Sequence, residues 1–110
     1  GLMEQARDVG DYARAGLKEL AQRHEAIGDV RGSGLFFGAE MVLDRNTKEP
    51  AIDFTNRVAN EMRQRGVLLN KLGIHYNTLK IRPNLQFTRE NADLLLSTLD
   101  TVLSTVPLHP

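Results

Sequence analysis

The sequence predicts an α+β domain, an α/β sandwich in which helices pack on one face of a small antiparallel or mixed sheet of three to four strands. Three observations carry that expectation. Apolar residues recur at spacings of three and four in three segments, as amphipathic helices require. Between those segments lie short runs in which apolar and polar residues alternate, the period of a strand. The order is helix, strands, helix, strands, helix, without repeats, low-complexity tracts or long linkers. The 110 residues therefore read as one domain, 1–110.

The first helix spans Leu2 to Arg23, where Ala6, Val9, Ala13, Leu17 and Leu20 line one face and charged residues take most of the rest. No capping residue precedes Leu2, so the chain is expected to begin partway through a longer helix. A short strand, Ile27 to Val30, leads through glycines into a second, Leu35 to Leu43, with Leu35, Phe37, Ala39, Met41 and Leu43 on one face. Phe36 and Val42 make the other face partly apolar, which suits a sheet with cover on both sides. Asp44 to Pro50 reads as a solvated turn. Asp53 is placed to cap a second helix carrying Phe54, Val58 and Met62, and Gly66 to end it. Val67 to Asn70 reads as a buried strand, "LGIHYN" as a glycine-containing turn, and Leu79 to Arg82 as the last strand. Thr88 is placed to cap the final helix, with Ala92, Leu95, Leu96, Leu99, Val102 and Leu103 as its apolar stripe.

Composition narrows the function classes. Fourteen basic residues balance fourteen acidic ones, so no overall field draws the chain to nucleic acid or to an anionic membrane. No apolar run approaches the length of a membrane span, and the start lacks the features of a signal peptide. The chain has no cysteine, which excludes a disulfide scaffold and a thiolate metal site and suits a reducing compartment; a cytoplasmic location is expected.

Catalytic constellations are scarce. His24, His75 and His109 stand far apart, and no metal-binding motif is present. Ser33 in "GSG" leads into a strand rather than a helix, so it is no nucleophile elbow. Gly32, Gly34 and Gly38 miss dinucleotide-site spacing and read as turn or close-approach positions. His75 reads as a polar loop residue, with a site role as the alternative.

"NTLKIRP" is the exception. Alternation puts Leu79 and Ile81 on one face of the strand and Lys80 and Arg82 on the other, roughly 6 to 7 Å apart, close enough to grip one anion. The alternative is that the two charges merely solvate an exposed edge.

Three segments in order, "IGDVRGSGLFFGAEMV", "RGVLLN" and "NTLKIRPNLQFTRENADLLLSTLDTVL", resemble the C-terminal small domain of class III aminotransferases, which are fold type I pyridoxal-phosphate enzymes. The resemblance covers nearly the whole chain. It implies a homodimeric parent enzyme whose large domain carries the Schiff-base lysine, the aspartate at the pyridine nitrogen and most of the phosphate cup. Lys18, Lys48, Lys71 and Lys80 do not stand in the context of that lysine. No catalytic, cofactor-binding or metal-binding residue is therefore expected in this chain, which by itself should be inactive.

The resemblance also implies substrate-binding roles. Many members carry, at the position matching Lys80, an arginine that holds the substrate carboxylate. "GIHYNTLKIRP" is nearer a subgroup containing alanine-glyoxylate-like aminotransferases and phospho-lyases of phosphorylated amines, although Asn84 replaces its second proline. His75, Asn77, Lys80 and Arg82 are the implied substrate contacts. The implied reaction transfers an amino group between an amino donor and a 2-oxo acid. The alternatives are phosphate elimination from a phosphorylated amine, or a free-standing α+β binding module.

Overall fold

The computed structural model describes residues 1–66 and 70–109. Among them are helices α1 (Leu2–Arg23), α2 (Ile52–Gln64) and α3 (Arg89–Thr105), and strands β1 (Ile27–Ser33), β2 (Phe36–Asp44), β3 (Glu49–Pro50), β4 (Asn70–His75) and β5 (Thr78–Pro83). The strands form one five-stranded sheet in the order β1-β2-β5-β4, with β3 pairing the end of β2. Every pairing is antiparallel.

Alternation along β2 and β5 separates the two faces of the sheet. Phe37, Ala39, Met41, Leu79 and Ile81 have no exposed surface and join Leu17 and Leu20 of α1, Val58 and Met62 of α2, and Leu95 and Leu99 of α3 in one core. At roughly 1.5 to 3 kcal/mol for each large side chain fully buried, this face is the main source of stability. Helices cover one face, as the predicted fold class has it; among the described residues none covers the other, where Phe36 and Val42 suggested cover. Val42 is buried by its neighbours within the sheet, packing against Gly28 of β1 and pairing with Pro50 of β3. Phe36 is half-buried on the open face.

Several boundaries differ from those read in the sequence. β1 runs three residues further, to Ser33, because Arg31, Gly32 and Ser33 pair with Gly38, Phe37 and Phe36; the turn is Gly34-Leu35. Glu49–Pro50, expected in a solvated turn, pairs with β2. Helix α2 starts at Ile52 with Ala51 as its N-cap, so Asp53 lies in the first turn and binds Arg57 at 3.0 Å instead of capping. Of the expected strand Val67 to Asn70, residues 67–69 lie outside the described residues. Strand β4 instead occupies "NKLGIH", most of which reads as a turn; Leu72 and Ile74 pair with Ile81 and Leu79, and those ladder bonds override the turn tendency of Gly73.

Other signals act as the sequence suggests. Gly66, at φ +78°, follows the end of α2. The Thr88 hydroxyl accepts from the Asn91 amide and the Asn91 side chain accepts from the Thr88 amide, both at 3.1 Å, closing a capping box on α3.

Two contacts fix α1 to the sheet. A Cβ on Gly10 would lie 2.0 Å from the carbonyl oxygen of Gly34, so helix and hairpin meet backbone to backbone, and Arg14 donates to the same oxygen at 2.6 Å. At the other end the Arg45 guanidinium donates to the carbonyls of Ala21, His24, Glu25 and Ile27, satisfying an acceptor in the last turn of α1 and tying it to the start of β1.

Candidate anion site

Lys80 sits on β5 between two glycines, Gly38 of β2 and Gly73 of β4. A Cβ at Gly73 would meet nothing within 4 Å and one at Gly38 only the Thr78 methyl at 3.4 Å, so the space on both sides of the lysine is clear. Strand β5 lies inside the sheet. The charges therefore do not solvate an edge, as the alternative reading of "LKIR" required.

By strand parity, the open face also carries Thr78 and Arg82 of β5, Lys71 and His75 of β4, Phe36 and Glu40 of β2, and Arg31 and Asp29 of β1. Arg31 binds Asp29 at 2.8 Å and also Glu40. Its pKa is raised above the usual arginine value, first by the hydrogen bond to Asp29 and then by the Glu40 charge. Glu40 stands two pairs away from Lys80 in the ladder, on the same face, and Arg31 engages it. Among the described residues, no ion pair or side-chain hydrogen bond reaches Lys80 or Arg82. What they do meet is one ring: the Lys80 ammonium lies 5.8 Å, and the Arg82 guanidinium 5.5 Å, from the centroid of Phe36.

The structure thus brings His75, Lys80 and Arg82 to one face, with His75 opposite Thr78 and Lys71 opposite Arg82. Asn77 lies elsewhere. It is buried in the turn just before β5, where its side-chain amide donates to the Met41 carbonyl at 2.8 Å and its own carbonyl accepts from the Met41 amide at 2.8 Å. The preceding residue, Tyr76, is 60% exposed at φ +59°, a left-handed conformation that costs a bulky residue roughly 1 to 2 kcal/mol.

Sequence reading named Phe36 and Lys71 but did not place them beside the two cations. The signal was parity, since Phe36 alternates with Phe37 and Lys71 with Leu72, but their closeness to Lys80 and Arg82 depends on the cross-strand register.

A cavity of about 500 Å³ lies between the first half of α1 and the β1–β2 hairpin, lined by Met3, Arg7, Arg14, Leu35 and Leu85 among others, and does not include Lys80. Among the described residues no group of acidic or histidine side chains is placed to hold a metal, and no helix is long and apolar enough to cross a membrane.

The sheet face therefore defines a domain that presents paired cations from a central strand while its helices cover the reverse. The Aminotransferase class-III family profile matches residues 1–103, and the chain belongs to that family. It is 43% identical over 103 residues to alanine-glyoxylate aminotransferase 2 homolog 2, mitochondrial, of Arabidopsis thaliana, covering 94% of this chain and 22% of the relative. A solved phospholyase from Arthrobacter in complex with phosphoethanolamine superposes with a TM-score of 0.86 at 43% identity, over 96% of this chain and 25% of that one. An amine transaminase from an uncultivated Pseudomonas species, solved in its pyridoxal-phosphate-bound form, gives 0.85 at 31% identity, over 96% and 24%. The chain spans about a quarter of the length of these proteins.

The family is enzymatic, and pyridoxal phosphate is its cofactor. The four lysines of this chain stand on separate elements. Lys18 lies on α1, Lys48 in the β2–β3 loop, Lys71 on β4 and Lys80 on β5.

Proposed function

We propose that this chain is the C-terminal small domain of a pyridoxal-phosphate-dependent class III aminotransferase, where it supplies substrate-anion recognition for amino transfer between an amino donor and a 2-oxo acid. The observation that carries the reading is the pair Lys80 and Arg82. Two cations stand on one face of an interior strand, Lys80 flanked by glycines, and the nearby Glu40 is engaged by Arg31. Lys71 also stands directly opposite Arg82; like charges so placed weaken a sheet, and folding alone gives no reason to gather them. A carboxylate or phosphate bound between them removes that repulsion and gains charge-assisted hydrogen bonds.

His75, exposed on the same face, is the further side chain proposed to reach the substrate. Asn77 contributes at the hairpin that carries these residues. The remaining parts of the reaction belong to a large cofactor-binding domain in the same polypeptide, which supplies the Schiff-base lysine, and to a second copy of that polypeptide. This chain alone is expected to be inactive. The proposed location is the cytoplasm; the Arabidopsis relative bears a mitochondrial name, and both compartments are reducing, as a cysteine-free chain suits.

A second reading is phosphate elimination from a phosphorylated amine. It is favoured by the 43% identity to the phospholyase solved with phosphoethanolamine, and by two adjacent cations where a monoanion needs one.

Lys80→Ala in the enzyme that contains this chain tests the proposal. The expected result is a loss in kcat/KM for an anionic substrate of about 1.5 to 3 kcal/mol, with little change in melting temperature. A change in stability alone, with kcat/KM intact, rejects the anion role.

A further inference from the structure

Resting on the anion role proposed above for Lys80 and Arg82, we propose that Phe36 is the positioning residue of that site, its ring face holding both cations aimed at one anion.

The argument begins with what surrounds the two side chains. The glycines at 38 and 73 leave Lys80 no lateral wall on either neighbouring strand. A lysine or arginine in such a position is free to sample many rotamers, and ordering it on substrate binding costs entropy. The register that pairs Phe37 with Ile81 and Gly38 with Lys80 places Phe36 level with Arg82 on the open face, and diagonal to Lys80. Its ring is the shared neighbour, 5.8 Å from the lysine nitrogen and 5.5 Å from the guanidinium carbon.

An aromatic face attracts cations through its quadrupole and offers the aliphatic stems an apolar floor. It does so without a negative charge. A carboxylate at position 36 would also hold the cations, but it would compete with the substrate for them. The ring orders the charges and leaves them unneutralised, as recognition of an incoming anion requires. Phe36 touches neither the substrate nor the reacting atoms and acts only through Lys80 and Arg82.

The test uses the holoenzyme containing this chain, with inorganic phosphate and acetate as probe anions and their Kd values read by ligand-observed NMR titration. Lys80→Ala and Arg82→Ala establish which anion the pair holds. For that anion, Phe36→Leu is expected to raise Kd about 3- to 10-fold, the range that one or two exposed cation–π contacts supply, while Phe36→Tyr stays within about twofold. On a background lacking both cations, Phe36→Leu is expected to change nothing further, because its effect runs through them. Phe36→Met replaces the leucine variant should that one not fold.

An unchanged Kd in Phe36→Leu, a tyrosine variant as weak as the leucine one, or an undiminished leucine effect without the cations each overturns the positioning role and leaves the anion site standing. If Lys80→Ala and Arg82→Ala both bind phosphate and acetate as the parent does, the anion site itself is rejected, and the role of Phe36 with it.

Discussion

Asn77 and Met41 are joined by two hydrogen bonds of 2.8 Å, one from the Met41 amide to the Asn77 carbonyl and one from the Asn77 side chain to the Met41 carbonyl. The Thr55 hydroxyl adds a bond to the Asn77 carbonyl at 3.3 Å, so β2, β5 and α2 meet at one buried asparagine. Asn77→Ala removes the side-chain bond from a buried site and is expected to cost about 1 to 2 kcal/mol in denaturant unfolding. A rise in KM without that loss would instead place the Asn77 amide against substrate.

Lys80→Arg separates the two chemistries. A site built for a carboxylate is expected to keep or gain activity with the bidentate guanidinium, whereas one shaped around a phosphate and a compact ammonium is expected to lose it. Assays of the variant enzyme with a plain amino acid and with a phosphorylated amine read the difference. Parent-like behaviour with both substrates puts Lys80 outside the site.

His24, at the end of α1, binds Asp100 of α3 at 2.6 Å, and Arg23 binds the same carboxylate at 3.1 Å. The His24 hydrogen bond, opposed by partial burial and assisted by the Arg23 charge, holds the Asp100 carboxyl below its usual range. A depressed folded pKa contributes stability that is complete above the unfolded value, about 3.9, and is lost as pH falls through the folded value. Melting temperature is therefore expected to fall more steeply in the parent than in Asp100→Asn below about pH 4, with the variant less stable at neutral pH. Parallel acid limbs in thermal scans would contradict this.

Thr88→Ala opens the capping box on α3 and is expected to cost about 1 kcal/mol, with Thr88→Ser near neutral. Equal losses in the two variants, measured by urea midpoint, would show that the hydroxyl is not the source.

Local chemistry made much of this fold legible. The periodicity of α1, the Thr88 cap, the Gly66 stop and the alternation of Leu79 and Ile81 with Lys80 and Arg82 are properties of neighbouring residues. Errors fell where a distant partner decides the outcome. "LGIH" is a strand because β5 pairs with it, and Glu49–Pro50 is one because Val42 and Asp44 are opposite. The same limit applied to the site: two cations were visible on one strand face, but the ring beneath them and the arginine that occupies Glu40 belong to strands whose register no local pattern encodes.

The contact between Gly10 and Gly34 bears on motion. Two backbones in touch, with no side chain between them to change rotamer, leave no play in the joint. The β1–β2 turn should follow α1 at Gly10, with Phe36 two residues beyond the joint. A shift of α1 at that point is therefore expected to be felt at the strand that carries the aromatic ring.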